Sequence, residues 1–200
     1  MVKALYIDGA ILIPDFDEAN SLHQDGYGSF KHRRLGLTPC EALYLLDRNR
    51  IEVYDERGVK LSFKELLRRL SPRGGLLDRL GGLIRNLLGR PSTSTSLWIR
   101  YLIYRDLRMK GYVVREEANS LLVYERGSYP RAPPSYEVYP LPEGMPQPIR
   151  RLMEALERAE EGGRTLKIAV VDRRGEVVYY TLREMDFSGR LDDPKDSPGG

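Results

Sequence analysis

The stretch LWIRYLIYRDLRMKGYVVREEANSLLVY, residues 97–124, predicts a long buried helix followed by two strands. Its first half is apolar on most sides, which is typical of a helix at the centre of a domain. The polar residues 92–96 before it offer several N-caps, and Gly111 suits the position after the last turn, where φ is positive. Tyr112–Val114 and Leu121–Tyr124 then have the composition of β-strands. The stretch therefore predicts the central helix and the first strands of a domain.

The composition indicates a folded protein with a mildly basic surface. The chain has 200 residues, of which 41% are hydrophobic, enough for one large domain or two small ones. Charged residues make up 30% of the chain and are mostly arginine on the basic side, which fits a thermophile. A net charge of +3 is compatible with nucleic-acid binding without requiring it.

The cysteine content and the apolar runs bound the cellular setting. The single cysteine, Cys40, excludes an intrachain disulfide and a metal cluster built on cysteines. No apolar run is long enough to span a bilayer, and Met1 leads into a strand rather than a signal peptide. We therefore expect a cytoplasmic protein with no membrane partner.

Turn signals divide the first part of the chain. Val2–Ile7 and Ala10–Ile13 flank an Asp-Gly pair, which predicts a β-hairpin. Ile51–Tyr54 and Val59–Leu61 predict a second hairpin around a turn that contains glycine. The residues between the two hairpins, 15–36, are polar and predict irregular structure. Both histidines of the chain fall there and are expected to be surface groups rather than metal ligands.

Two capping boxes mark helix starts. The first, residues 38–41, has proline at the first helical position and opens a helix that continues to about Arg48. The second, residues 62–65, precedes leucines at helical spacing. A glycine-dotted amphipathic segment at 76–88 predicts a further helix, and the cluster of Pro, Ser and Thr at 89–96 predicts a domain boundary.

The last part of the chain predicts strands around one amphipathic helix. In order these are the strand Tyr136–Tyr139, the helix Ile149–Glu161 and the strands Leu166–Asp172 and Glu176–Leu182. Residues 188–200 are rich in Asp, Pro and Gly and predict a disordered tail. The expected organisation is one domain at 1–90, a second at 96–187, and this tail.

Sequence motifs leave few kinds of chemistry open. The chain has no Walker loop, no GxGxxG and no HExxH. Asp8 and Asp55 fit no tight metal cluster, so we expect no metal and no cofactor. Most of the thirteen tyrosines are expected to be core or edge residues. Tyr124 is a better candidate for chemistry because it ends a strand and precedes a basic loop.

Four segments together resemble one family. They are LGLTPCEALYLLDRNRIEVYDERGVKLSFKELL (35–67), YLIYRDLRMKGYVV (101–114), LLVYERG (121–127) and KIAVVDRRGEVVYY (167–180). In this order they are similar to the archaeal tRNA-splicing endonucleases. The resemblance implies an α/β (α+β) protein with two parts: a small N-terminal α/β domain, and a C-terminal nuclease domain of the restriction-endonuclease-like kind with a mixed sheet.

The resemblance also implies a way of cutting RNA without a metal ion. In this family a tyrosine acts as general base on a ribose 2′-OH, a histidine protonates the leaving 5′ oxygen, and a lysine stabilises the charged phosphate. The tyrosine position corresponds to Tyr124. The histidine position falls near Pro133, and the lysine position falls on Arg164. Lys167 comes three residues too late and is expected on the other face of its strand.

The loss of two of these three groups implies a non-catalytic, structural subunit. Such a chain assembles with a catalytic partner into a heterotetramer of two chains of each kind. The assembled enzyme excises introns from precursor tRNA and leaves 2′,3′-cyclic phosphate and 5′-hydroxyl ends. Two other interpretations stay open: a divergent subunit that is itself active, and a stand-alone RNA-binding module.

Two features near the C-terminus correspond to the family's assembly surfaces. The turn between Asp172 and Glu176 resembles an acidic loop that docks into a basic pocket of the opposing subunit. Two arginines within this turn also fit a simple solvated hairpin turn. The following strand residues, Val177, Val178, Tyr179 and Tyr180, resemble the strand that pairs across the dimer interface, and they also fit an ordinary strand inside a sheet.

Overall fold

Two mixed β-sheets and five helices form the part of the chain that the computed structural model describes, residues 1–71 and 97–185. The helices are α1 (Phe16–Gln24), α2 (Pro39–Asp47), α3 (Phe63–Leu70), α4 (Leu97–Met109) and α5 (Ile149–Glu161). The strands are β1 (Val2–Ile7), β2 (Ala10–Ile13), β3 (Ser29–Lys31), β4 (Arg34–Leu37), β5 (Ile51–Asp55), β6 (Val113–Glu116), β7 (Leu121–Tyr124), β8 (Tyr136–Pro142), β9 (Thr165–Val171) and β10 (Val177–Thr181).

Some expectations from the sequence concern residues outside the described ranges. These are the helix at 76–88, the domain boundary and N-caps at 89–96, and the tail at 188–200. Within the described ranges, no helix is long and apolar enough to cross a membrane.

The first sheet has the strand order β3-β4-β2-β1-β5. Strands β1 and β2 form the predicted hairpin, with Asp8 and Gly9 at positive φ in the two-residue turn. Strand β5 is parallel to β1, and the remaining pairs are antiparallel. This hairpin prediction is confirmed, because the Asp-Gly pair supplies the backbone conformation that the turn requires.

The prediction of irregular structure at residues 15–36 is wrong, because this segment folds into α1 and the hairpin β3–β4. Helix α1 is capped by the Asp15 carboxylate and buries only Ala19 and Leu22, so its apolar periodicity is weak. The turn between β3 and β4 is His32-Arg33, with both residues at positive φ. A turn of this kind carries none of the Asn or Gly signals by which hairpins are recognised.

The predicted second hairpin at residues 51–61 is only partly formed. Strand β5 is present, but the returning chain makes an isolated bridge between Tyr54 and Lys60 rather than a strand. The Asp55 carboxylate accepts the backbone N–H groups of Arg57 and Val59 at 3.0 and 2.9 Å, which bends the chain early. Because the Asp55 side chain holds residues 55–59 in a turn, too few residues remain before α3 to form a full second strand.

Both capping-box helices are confirmed. At the start of α2, the Glu41 carboxylate accepts the N–H of Thr38 at 2.9 Å. At the start of α3, the Glu65 carboxylate accepts the N–H of Ser62 at 2.9 Å, and the Ser62 hydroxyl accepts the N–H of Glu65. These bonds satisfy backbone groups that have no partner inside the helix.

The second sheet has the order β10-β9-β8-β7-β6, with β8 and β9 parallel and the other pairs antiparallel. Helix α4 packs on one face and the crossover helix α5 on the other. Helix α4 ends just before Gly111, which has φ +86° as expected of a residue after a helix end. Strand β8 runs to Pro142, further than predicted, because β7 pairs only with its first three residues and leaves its prolines free of that neighbour.

The two sheets share one hydrophobic core. A single cluster of buried residues runs from Ala4 in β1 to Val171 in β9. At its centre α2 packs against α4, with the rings of Tyr44 and Tyr104 5.8 Å apart. The Tyr101 hydroxyl, also on α4, donates to the Asp47 carboxylate at the end of α2 at 2.9 Å. The central helix predicted from the sequence therefore serves both halves of the protein.

Charged side chains join the two halves at the start of α2. The Glu116 carboxylate at the end of β6 accepts the backbone N–H of Cys40 at 2.8 Å, and it pairs with Arg100 at 3.3 Å. The fully buried Glu41 pairs with Arg115 of β6 at 3.2 Å. Burial raises the pKa of Glu41 above its ordinary value. The N–H groups at this helix N-terminus, which have no partner inside the helix, stabilise the two negative carboxylates. Each carboxylate also forms an ion pair with an arginine.

Replacing Glu116 with Ala should lower the free energy of unfolding by about 2–4 kcal/mol, because the Cys40 N–H and the Arg100 guanidinium both lose their partner in a largely buried setting. Glu117→Ala is the matched control: Glu117 is the next residue and is exposed. Urea unfolding of both variants measures the difference. Equal effects in the two variants would show that the Glu116 carboxylate does not hold the two halves together.

Candidate functional site

The backbone brings the three positions singled out by the resemblance to one end of the second sheet. Val123 in β7 pairs with Tyr136 in β8, and Tyr136 pairs with Thr165 in β9. One step further along, the Ser135 N–H donates to the Val123 carbonyl and the Thr165 N–H donates to the Ser135 carbonyl, both at 3.0 Å. Tyr124 and Arg164 therefore lie on either side of Ser135, and Pro133 precedes it by two residues.

Tyr124 ends β7 and is half-buried. Its ring meets the ring of Tyr129 edge to face, with centroids 5.0 Å apart. The Tyr129 hydroxyl accepts a hydrogen bond from Arg115 at 2.7 Å, and Arg115 also donates to the carbonyl of Gly28 at 2.7 Å. The surroundings of Tyr124 are therefore anchored to the first sheet through Arg115.

Position 133 carries no proton donor. Pro133 is exposed in the loop between β7 and β8. The two histidines of the chain both lie in the first sheet's part of the sequence. His23 packs its ring against Phe30, with centroids 5.0 Å apart, and His32 lies in the β3–β4 turn. Neither histidine belongs to the segments that form the Tyr124 end of the second sheet.

The Arg164 guanidinium is bonded to a buried carboxylate. Its Nη2 donates to the Glu137 carboxylate at 3.0 Å and to the Arg158 carbonyl at 3.2 Å. Arg158 also pairs with the Glu137 carboxylate at 3.3 Å. The Ser120 hydroxyl donates a hydrogen bond to the same carboxylate at 2.9 Å. The Glu137 side chain is only 2% exposed and that of Arg164 19%. Arg164 is thus part of an internal ion-pair network rather than a free surface cation.

Lys167 lies on the opposite face of the sheet from this network. Its ammonium group is 5.3 Å from the centroid of the Tyr136 ring and donates to the Thr181 hydroxyl at 2.7 Å. Tyr136 and Glu137 are adjacent in β8, so their side chains leave opposite faces. The expectation that Lys167 and Arg164 would diverge is therefore confirmed. A hydrogen bond to the Glu125 carboxylate raises the pKa of Tyr136.

The ion-pair network lines a surface pocket of about 360 Å³ beside the turn between β6 and β7. Arg100 holds this turn by donating to the carbonyls of Ala118 and Glu117 at 2.7 and 2.5 Å. Sequence reasoning missed the network because its members lie far apart along the chain. The available signal was Glu137 itself: a carboxylate between the apolar residues of a predicted strand needs cationic partners when it is buried.

The strand residues expected at an interface divide into two pairs. Val177 and Tyr179 pack against the core, and the Tyr179 hydroxyl donates to the Asp106 carboxylate at 2.7 Å. Burial, together with this hydrogen bond, raises the pKa of Tyr179. Val178 and Tyr180 are 52% and 58% exposed. Within the described residues, β10 has β9 as its one neighbour in the sheet and presents its other edge.

The two acidic residues of the β9–β10 turn differ in their contacts. The Asp172 carboxylate accepts the backbone N–H groups of Arg174 and Glu176, each at 2.8 Å. Asp172 therefore stabilises its own turn. Glu176 is exposed at the start of β10. Among the described residues, no group of three or more His, Cys, Asp or Glu side chains is arranged to hold a metal ion.

The sequence of this chain matches family models of tRNA-processing proteins. Residues 2–67 match the model of the tRNA intron endonuclease N-terminal domain, and residues 97–179 match the model of the tRNA intron endonuclease catalytic C-terminal domain. Together the two matched ranges span most of the chain and include nearly all of the described elements.

Curated relatives agree with these models. The tRNA-splicing endonuclease of Methanococcus vannielii is 30% identical over 90% of this chain and 93% of its own length. The tRNA-splicing endonuclease of Pyrococcus furiosus is 29% identical over 93% of this chain and 98% of its own length. The protein of the same name from Methanococcoides burtonii is 29% identical, but the match covers only 44% of its length. The chain belongs to the tRNA-splicing endonuclease family.

Replacing Glu137 with Gln should lower the free energy of unfolding by about 2–3 kcal/mol, because two arginines lose a buried charged partner. Glu154→Gln is the matched control, since Glu154 pairs with Arg150 one helical turn away on the exposed surface of α5. That change should cost less than about 0.5 kcal/mol. Thermal or urea unfolding measures both. A cost for Glu137→Gln no larger than the control would mean that the network contributes little to stability.

Proposed function

We propose that this chain is the structural subunit of a tRNA-splicing endonuclease, which supports a separate catalytic subunit. The observation that carries the proposal is the Arg164 guanidinium, bonded to buried Glu137 at 3.0 Å instead of being free at the lysine position. Pro133 stands where the resemblance expects a histidine. Of the three catalytic positions, only Tyr124 keeps a group able to take part in proton transfer.

The chemistry of strand cleavage explains why these changes matter. Cyclic phosphate formation removes a proton from the 2′-OH and delivers one to the departing 5′ oxygen. A tyrosine serves as a base only where a nearby cation stabilises its phenolate. Arg164, the expected cation, is already paired with Glu137, and Pro133 has no side-chain proton to give. Loss of a positioned acid costs about 10²–10⁴ in rate.

The relatives differ in length: those from Methanococcus vannielii and Pyrococcus furiosus are about as long as this chain, whereas the one from Methanococcoides burtonii is about twice as long. The match covers less than half of the Methanococcoides burtonii protein, which leaves room for a second unit in that single chain. We propose that here the second unit is a separate catalytic chain, in a heterotetramer of two subunits of each kind that acts on precursor tRNA. The exposed Val178 and Tyr180 on the β10 edge, with Glu176 beside them, supply the surface for its assembly.

Tyr124→Phe in this chain should leave cleavage by the mixed complex within about twofold of the unchanged complex, because no complete proton-transfer set depends on it. The measurement is single-turnover cleavage of an intron-containing precursor tRNA by this chain mixed with a triad-bearing chain from the same organism. The equivalent tyrosine change in the partner is the control and should abolish cleavage. Loss of cleavage on Tyr124→Phe here would instead identify a divergent active subunit.

Val178→Lys with Tyr180→Lys should prevent assembly with the catalytic chain, because two charges would enter an interface built on apolar side chains. Light scattering on the mixture should then give separate components instead of about four chains. Val59→Lys is the matched control, since Val59 is similarly exposed at 55% but lies in the turn after β5. Full assembly of the doubly substituted chain would exclude this edge as the interface.

A further inference from the structure

The turn of the β3–β4 hairpin carries four consecutive basic or titratable side chains. Lys31, His32, Arg33 and Arg34 are all exposed. In the described part of the chain, no carboxylate lies within ion-pair distance of Lys31, Arg33 or Arg34, whereas other basic residues such as Arg50 and Arg69 are paired. We call residues 31–34 the basic hairpin. Its three fixed positive charges are available to an external anion.

Aromatic rings adjoin the basic hairpin. The Arg33 guanidinium lies 5.2 Å from the centroid of the Phe16 ring, and the rings of Phe16 and Phe30 are 5.9 Å apart. The His23 ring meets Phe30 on its other side at 5.0 Å. Phe16 is 43% exposed although it begins a helix whose other apolar residues are buried. An exposed aromatic ring beside unpaired arginines is the kind of surface on which a nucleic-acid base stacks.

Two residues at the tip of the basic hairpin have a strained backbone conformation. His32 and Arg33 have φ of +46° and +64°. Non-glycine residues rarely adopt this conformation, and Asn or Gly ordinarily occupies such a turn. Strain retained at an exposed position points to a role for the side chains that are displayed there.

The basic hairpin is rigidly connected to the Tyr124 end of the second sheet. Gly28, directly before β3, has φ +64°, and a Cβ there would lie 2.7 Å from the Gly36 carbonyl, so the base of the hairpin is tightly fixed. The Gly28 carbonyl accepts from Arg115, which also donates to Tyr129 beside Tyr124. The three residues of β3 then carry the turn about 10 Å further.

From these contacts we propose that the basic hairpin and Phe16 bind the precursor RNA outside the Tyr124 end of the second sheet. Lys31, Arg33 and Arg34 contact backbone phosphates, and the exposed face of Phe16 receives an unstacked base. The choice of precursor tRNA as ligand rests on the proposed function. RNA fits better than an acidic protein surface because cations and the exposed ring of Phe16 occur together here. In this way the structural subunit itself contributes to substrate binding.

The test measures binding of the full chain to a labelled intron-containing precursor tRNA by fluorescence anisotropy across a range of salt concentrations. The variant carries Lys31→Thr, Arg33→Asn and Arg34→Thr, which suit the strand and the positive-φ turn and so preserve the fold. At about 0.15 M salt binding should weaken by about 10- to 100-fold. The slope of log affinity against log salt should fall by about 3, because each of the three side chains neutralises one phosphate in the unchanged protein.

A second triple variant controls for net charge. Arg57→Asn, Lys64→Ala and Arg68→Ala also remove three exposed positive charges, but they lie after β5, at the opposite edge of the first sheet. These changes should leave affinity and salt slope close to the unchanged chain. Phe16→Ala should weaken binding several-fold without changing the salt slope, because stacking releases no counterions.

Three results would overturn the proposal. They are equal losses in the two triple variants, unchanged binding in the hairpin variant, and loss of assembly with the catalytic chain in place of loss of RNA binding. The last result would identify a protein-docking surface instead. Because binding is measured on the chain alone, it is independent of the cleavage test. If Tyr124→Phe shows this chain to be active, the proposed function fails while a hairpin-dependent salt slope still supports RNA binding.

Discussion

The structure depends on the contacts at the N-terminus of α2. Free N–H groups at this helix end attract carboxylates, and the protein supplies one from each half of the chain. Glu41 comes from the helix itself and Glu116 from the end of β6, and Arg115 and Arg100 balance their charges. Because Glu41 is fully buried, it is tolerated only with the Thr38 N–H and Arg115 in place. This arrangement fixes the first sheet against the second.

Arg115 carries that constraint to the candidate site. One guanidinium contacts Glu41, the Gly28 carbonyl and the Tyr129 hydroxyl. Through these bonds the basic hairpin and the loop that contains Pro133 hold fixed positions relative to each other. The RNA binding and the subunit assembly that we propose would both require these surfaces to be placed correctly.

Local signals in the sequence were sufficient where they coincide with the tertiary packing. The Asp-Gly turn after Ile7, the two capping boxes and Gly111 each specify a backbone conformation, and the elements beside them were predicted to within a few residues. Helix α1 was missed because its apolar periodicity is weak, and the His32-Arg33 turn was missed because it lacks the usual Asn or Gly. At the site, Tyr124 and Arg164 could be named from the sequence, but the pairing of Arg164 with Glu137 joins residues far apart in the chain.

The shared core has a consequence for how the protein folds. Tyr101 and Tyr104 on α4 are fully buried, and they contact α2 from the other half of the chain. A fragment that ended before α4, or one that began with it, would expose a broad apolar face to water. We therefore expect that neither half folds independently of the other. We infer that the two sheets unfold in one cooperative transition, so that a destabilising substitution in either half also lowers the stability of the other half.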